Sequence, residues 1–283
     1  MTDVLSNAEA ISKMSLGVVQ KQKGGLLPQS WLPSLQKSLK KLRQAYRNEH
    51  VDVDYTNPNI VSAYLLAYAP YHVFQTYEAL ERLSTKAKKQ LCSQKELSVV
   101  GFCSGPGPEI LALQWFLASN KAKCKHLHVC VYDDCAAGWE KHGNFSKVLL
   151  RGGPIKVSWK YKHCDINSYW LPDVDVSTAD LIFLQNCSNE IDSHKTSFPA
   201  LLKKMKSGAH FIYSDLSSYR KNIQLMRHFE AQLQGSHCVS ELQYHHRDNF
   251  RYAPELERHL FCRKDELWAR RCLKFATILF EKR

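Results

Sequence analysis

The chain lacks any apolar run near the roughly 20 residues that carry a helix across a bilayer, so no membrane span is expected. Its opening residues, MTDVLSNAEAISKM, carry Asp3 and Glu9 and no long hydrophobic stretch. They resemble neither a secretory leader nor an acid-poor transit peptide, and a cytoplasmic protein is expected. No Cys-x-x-Cys pair occurs, the nearest spacing being Cys130 to Cys135, which removes the usual ligand pattern of structural zinc and iron–sulfur sites. No metal is expected. Internal repeats and low-complexity linkers are missing as well.

What is present is 283 residues, enough for one large core or one core with a smaller helical attachment. The hydrophobic fraction of 44% and charged fraction of 23% suit a soluble globular protein. Several of the ten cysteines (Cys103, Cys130, Cys164, Cys187, Cys262) sit in apolar runs, where a reduced thiol acts as a small hydrophobe. The formal net charge of +12 favours an acidic partner such as nucleic acid, or is the solvated surface of a basic enzyme. Both readings stay open.

Two rhythms divide the chain near residue 95. Before it, Trp31, Leu32, Leu35, Leu39, Leu42 and Tyr46 recur at helical spacing while Lys37, Lys40, Lys41, Arg43 and Arg47 fill the other positions, the pattern of a basic amphipathic helix. A second helix is expected from Asn57-Pro58, with Asn57 as cap, ending before Pro70. A third, from Tyr71 to Leu83, places Phe74, Tyr77 and Leu80 on one stripe. After it, short apolar strands alternate with helices, which predicts βαβ units and a parallel sheet. The expected strands are Leu97–Cys103, His128–Asp133, Ile155–His163, Ala179–Gln185, His210–Asp215, and two late ones near His259–Arg263 and Lys274–Glu281. Helices are expected at Glu109–Ala118, Trp139–Leu149, Phe198–Lys206 and Ile223–Gln234.

The segment LSVVGFCSGPGPE, Leu97 to Glu109, runs a buried strand into a turn of small residues and then into a helix. Gly105 and Gly107 let the loop take left-handed conformations and let a ligand lie against bare backbone. The helix behind it turns unpaired N–H groups toward that ligand. The next strand ends HVCVYDD, and an acid at its tip is placed to accept from two ribose hydroxyls, Asp133 first and Asp134 in reserve. KHCDIN follows, with Asp165 positioned for an adenine amine and Ile166 for the base. ADLIFLQNCSNEI then gives a buried strand whose exit carries Gln185, Asn186, Asn189 and Glu190. Loops at the carboxyl ends of consecutive parallel strands converge on one crevice.

This ordered set, VVGFCSGPGPE, VYDD, CDIN, ADLIFLQN and SGAHFIYSD, resembles the motifs of class I S-adenosylmethionine-dependent methyltransferases over about residues 95 to 283. The resemblance implies an α/β, Rossmann-like, seven-stranded, mostly parallel sheet with helices on both faces, residues 96–283, behind an N-terminal helical extension, residues 1–95. LERHLFCRK and LKFATILFEKR are similar to the family's antiparallel sixth and seventh strands. The helical part, with AYLLAYAPYHVFQTYEAL, more loosely resembles methyltransferase-like proteins linked to assembly of the mitochondrial small ribosomal subunit. The implied cofactor is S-adenosylmethionine, held by Cys103, Ser104, Gly105, Pro106, Gly107, Asp133, Asp134, Asp165, Ile166, Gln185 and Asn186. Gly101 stands where the family usually has an acid, and Cys103 where it has its first glycine.

Methyl transfer from a sulfonium needs mainly alignment, so no catalytic triad is expected in the sequence. The resemblance puts Asn186 nearest the methyl group as a positioning residue, and Glu190 is placed as a general base. A rival scheme uses Cys187 as a nucleophile on a pyrimidine ring. The tract YHHRDNFRY, Tyr244 to Tyr252, has the composition of a base-stacking and phosphate-contacting segment or of an exposed substrate-side strand. On a strand His245 and His246 face opposite ways, which argues against joint metal ligation. Three functions remain: a methyltransferase acting on RNA or a ribonucleoprotein, a degenerate methyltransferase fold that binds RNA without turnover, and a small-molecule methyltransferase.

Overall fold

The computed structural model describes residues 4–46, 53–142, 155–168, 174–192, 197–261 and 267–283. Six helices come first: α1 Val4–Gln22, α2 Pro28–Trp31, α3 Gln36–Ala45, α4 Pro58–Ala67, α5 Ala69–Glu81 and α6 Thr85–Ser93. The basic amphipathic helix expected around Trp31 to Tyr46 is three pieces, because Pro33 falls in a 3-10 turn, Leu32–Leu35, between α2 and α3. Its stripe is nevertheless buried at Leu32, Leu35, Leu39 and Leu42, with Lys37, Lys40 and Lys41 exposed. Asn57 caps α4, accepting from Asn59 N–H at 2.9 Å and Ile60 N–H at 3.4 Å, a contribution of about 1 kcal/mol.

The alternating half follows as β1 Glu96–Phe102, α7 Pro108–Ser119, β2 His126–Asp133, α8 Ala136–His142, β3 Lys156–His163, β4 Leu181–Gln185, α9 Phe198–Leu202, β5 His210–Leu216, α10 Arg220–Leu233, β6 His237–Val239, β7 Gln243–Arg247, α11 Pro254–His259 and β8 Leu273–Lys282. The sheet runs β3-β2-β1-β4-β5-β8-β6, with β7 also on β8. β1 to β5 are parallel and β8 is antiparallel to β5, β6 and β7. This is a Rossmann-like α/β sheet. Every residue of β4 is buried, as a central strand covered on both faces requires, whereas the edge strand β3 carries Lys156, Lys160 and Lys162.

One expectation is corrected. No strand forms at His259; residues 254–259 are α11, and Cys262 and Arg263 lie outside the described residues, as do Arg47 and residues 143–149. Pro254 occupies its first turn, Glu255 and Glu257 sit near its positive end, Arg258 and His259 near its negative end, and Leu256 and Leu260 bury one face. The sheet edge is formed instead by β6 and β7, whose run HCV and polar stretch QYHHR carry little strand signal.

A single apolar cluster joins the first helices to one face of the sheet, from Leu39, Leu65 and Phe74 through Leu97 and Phe116 to Phe275. A second cluster fills the other face beneath α9 and α10, around Phe102, Phe198, Phe229 and Phe280. Gly138 lets the chain before α4 lie directly on α8: an added Cβ there would sit 2.7 Å from the Tyr55 carbonyl oxygen.

Candidate active site

β1 stops at Phe102, and the chain then turns through left-handed backbone at Cys103 (φ 50°), Gly105 (50°) and Gly107 (74°). Cys103 holds this strained conformation while its N–H donates to the Tyr132 carbonyl at 2.8 Å. Gly107 is the N-terminal cap of α7, with Pro108 in the first turn. The absent side chain at Gly101 makes room for Ser104, whose Cβ would lie 3.0 Å from a Cβ at 101. Ser104 in turn hydrogen-bonds Glu109, an acid that is only 2% exposed. Burial pushes the Glu109 carboxyl up to about 8, and its Oε2 has no hydrogen-bond partner. Sequence reasoning passed over Glu109; its signal was an acid in the first turn of the helix directly behind the bend.

Asp133 and Asp134 divide as the strand's alternation dictates. The Asp133 carboxylate is buried against the bend, accepting from Gly105 N–H and from Cys135 N–H, each at 2.9 Å. Burial raises it to about 6, the two N–H donors opposing that rise. Asp134 is 71% exposed beside His163. Tyr161 of β3 donates to the Gly105 carbonyl at 3.1 Å, and the Trp139 ring lies against the bend, 3.1 Å from where a Cβ on Gly105 would be. Tyr55 packs on Trp139 with ring centres 4.4 Å apart. The bend is therefore held from three sides.

The remaining positions take different places. Asp165 is exposed and accepts from Asn167 N–H at 2.8 Å, an Asx turn, while Ile166 joins the core with Val100 and Tyr132. Gln185 is buried with its amide on α5, accepting from Thr76 Oγ1 and donating to the His72 carbonyl at 3.0 Å. It fastens α5 to the end of β4. Asn186 has left-handed backbone (φ 55°) and donates to Gln75 Oε1 at 3.1 Å, and its buried Oδ1 has no partner. Glu190 is solvent-accessible yet ringed by protein; desolvation, then Asp133, Asp215 and Asp134, push its carboxyl up to about 8. Cys187 is buried against Cys103, and burial pushes its thiol well up, the opposite of an activated nucleophile.

Sequence reasoning also missed the Asp215 network. Asp215 accepts from Ser188 N–H at 2.9 Å, Ser188 Oγ at 2.5 Å and Asn222 Nδ2 at 2.7 Å, tying the end of β5 to the β4 exit. The YHHRDNFRY tract is mostly exposed, with three buried anchors, His245, Phe250 and Tyr252. His245 stacks on Phe275 at 4.4 Å, Phe250 and Tyr252 are core, and Arg247 pairs with Glu78 at 2.9 Å. His246, on the opposite face from His245, is exposed beside Cys272 and Asp248.

Beyond the ends of β4 and β5 opens a cavity of about 530 Å³. Asn186, Asn189, Asp215 and Asn222 line it from the ends of β4 and β5, and Tyr46, His72 and Arg270 are among its other lining residues. His72 is 5% exposed and bonded to Tyr64 Oη at 3.1 Å; burial, with Arg270 nearby, lowers it to about 3, so its ring is neutral. Four carboxyls (Asp133, Asp134, Glu190, Asp215) interact across the space between the bend and this cavity.

No family model and no curated protein matches the chain. Among solved structures it is similar to YcgJ of Bacillus subtilis (12% identity, 73% of this chain and 99% of that one, TM-score 0.42). It is similar to a SAM-dependent methyltransferase of Methanosarcina mazei (12%, 71% and 98%, TM-score 0.42). A precorrin-6y C5,15-methyltransferase of Geobacter metallireducens aligns at 10% identity over 71% of this chain and 93% of its own, TM-score 0.42. By its strand order, its antiparallel β8 and the glycine bend after β1, the chain has a Rossmann-like, mostly parallel α/β fold with the candidate site at the carboxyl ends of its strands.

Proposed function

We propose that the protein is an S-adenosylmethionine-dependent methyltransferase whose acceptor is RNA or an RNA-associated molecule, acting in the cytoplasm. The observation that carries the reading is the left-handed bend at Cys103, Gly105 and Gly107, with Asp133 bonded into it and Asn186 and Glu190 across the crevice. The residues fit the cofactor. The bend offers bare backbone, and Asp133 a carboxylate bonded into it. Bound there, S-adenosylmethionine supplies the methyl electrophile; the protein's part is alignment, worth up to about 7–11 kcal/mol for well-oriented reactants. The acceptor reading is supported by the net charge of +12 and the exposed lysines of α3, and the location by nine described cysteines that are all free.

Titration calorimetry tests the cofactor directly. S-adenosylmethionine and its demethylated product are expected to bind in the micromolar range, and Asp133→Ala to weaken both about tenfold or more through loss of charge-assisted hydrogen bonds. One observation favours a second reading, a binding protein without turnover: Trp139 and Tyr55 pack against one side of the bend. Absence of heat with either ligand selects that reading.

Glu190 is assigned the proton-accepting role. With its carboxyl at about 8, it is mostly protonated at neutral pH, so the transfer rate is expected to climb through pH 7–9 as the base is unmasked. Glu190→Gln is expected to lower the rate at pH 8.5 and flatten the profile; an unchanged slope removes Glu190 from the mechanism.

A further inference from the structure

The cavity beyond β4 and β5 is polar in two different ways. Asn186 spends its Nδ2 on Gln75, and Asn222 spends its Nδ2 on Asp215 and on the Leu216 carbonyl at 3.1 Å. The Oδ1 atoms of both are buried and unpartnered, two acceptors awaiting a donor. Arg270 also lines the cavity, its guanidinium 4.5 Å from the centre of the Tyr71 ring. Around it stand the phenols of Tyr71, Tyr252, Tyr68 and Tyr219, and among the described residues no carboxylate forms an ion pair with it. Arg43, held by the Trp268 carbonyl at 2.5 Å, adds a second guanidinium close enough for the two to repel. A guanidinium without a carboxylate partner in an aromatic wall suits an anion, which its fork binds in bidentate fashion.

We propose that this cavity binds an aromatic anion as the methyl acceptor: a planar ring among the tyrosines, its carboxylate or phosphate on Arg270, and an amine or hydroxyl at its other edge donating to Asn186 Oδ1. The volume of about 530 Å³ suits one such molecule. The ring face complements the tyrosine surfaces. The assignment rests on the methyltransferase reading for the reaction but not for the binding. In the reaction, the acceptor's nitrogen or oxygen lone pair bonds to the methyl carbon, the carbon–sulfur bond of S-adenosylmethionine breaks with its pair staying on sulfur, and the proton passes to the Glu190 carboxylate. The anion comes from a free metabolite or from a nucleotide within RNA, which share this chemistry.

The test is equilibrium binding to the full chain without cofactor. Adenosine monophosphate and 4-aminobenzoate are compared with their uncharged counterparts, adenosine and aniline, and with a short single-stranded oligoribonucleotide. The charged member of each pair is expected to bind at least about tenfold more tightly, Arg270→Gln to erase that preference, and Arg270→Lys to retain part of it because charge survives while the fork is lost. Binding by the free anions alone identifies a small-molecule acceptor, and tighter, salt-sensitive binding by the oligoribonucleotide identifies RNA; both support the assignment. Equal affinity for charged and neutral partners, no binding by any probe, or an intact preference in a folded Arg270→Gln protein overturns it. Titrating the demethylated cofactor product into the same samples separates the two readings. Product binding without anion binding sinks this assignment alone, and anion binding without product binding sinks only the transfer reaction.

Discussion

Gly105→Val is expected to lose cofactor-product binding altogether and to destabilise the protein by about 2–5 kcal/mol. About 1–2 kcal/mol of this is the cost of left-handed backbone for a residue with a Cβ, since φ at 105 is 50°. A further 1–3 kcal/mol, roughly, comes from overpacking, because the new side chain enters the space of the Trp139 ring, 3.1 Å from the Cβ position. Set against a total stability of about 5–15 kcal/mol, that is a large fraction. Urea denaturation separates the two contributions. Gly105→Ala combined with Trp139→Leu is expected to recover the packing part, judged against Trp139→Leu alone, and to leave the backbone part. A valine protein that still binds the product at the wild-type affinity would show that the bend plays no part in holding it.

Glu109→Gln is expected to act in the opposite direction, increasingly as pH rises above the free glutamate value. The folded protein keeps the Glu109 proton up to about 8, whereas an unfolded chain releases it near 4.3, roughly the free glutamate value. The folded state therefore binds the proton more tightly, and the stability due to this group is complete at low pH and declines as pH rises from the unfolded value through about 8. At 1.36 kcal/mol per unit the whole loss is on the order of 5 kcal/mol. Glutamine mimics the protonated form at every pH. The urea midpoint of the wild type is expected to fall further between pH 6.5 and 9, with that of Glu109→Gln falling less, leaving the variant ahead by on the order of 5 kcal/mol at pH 9. Asp133, at about 6, has spent most of its own effect below that window. Parallel midpoint curves for the two proteins would mean that Glu109 is ionised in the fold.

The elements were legible where local chemistry and burial agree. Asn57-Pro58 announced a helix start, Leu97 to Phe102 a buried strand, and the small residues behind it a turn, because each rests on a residue type that few other conformations accept. The edge formed by β6 and β7 was not legible. An edge strand with one exposed face tolerates His, Gln and Arg, so its pairing with β8 is set by the neighbour and not by its own sequence. At the candidate site, Asp133 and Asn186 could be named from the sequence because strand ends announce themselves. Gln185 points its amide at Thr76 and His72 of α5, a partner some 110 residues away in sequence. Arg270 and Glu109 escaped notice for the same reason: what makes each unusual is the company it keeps after folding, aromatic rings in one case and a tucked serine in the other.

The position of β8 has a consequence for biosynthesis. Strand Leu273–Lys282 is wedged between β5 and the β6–β7 edge and is the only strand joining them among the described residues. A ribosome that has translated every earlier strand still displays β5 with an open hydrogen-bonding rim and Phe211, Ile212 and Tyr213 uncovered on that side. The nascent sheet stays adhesive until β8 has been made and has docked, so chaperone dependence is expected to end abruptly with that docking and not to fade gradually.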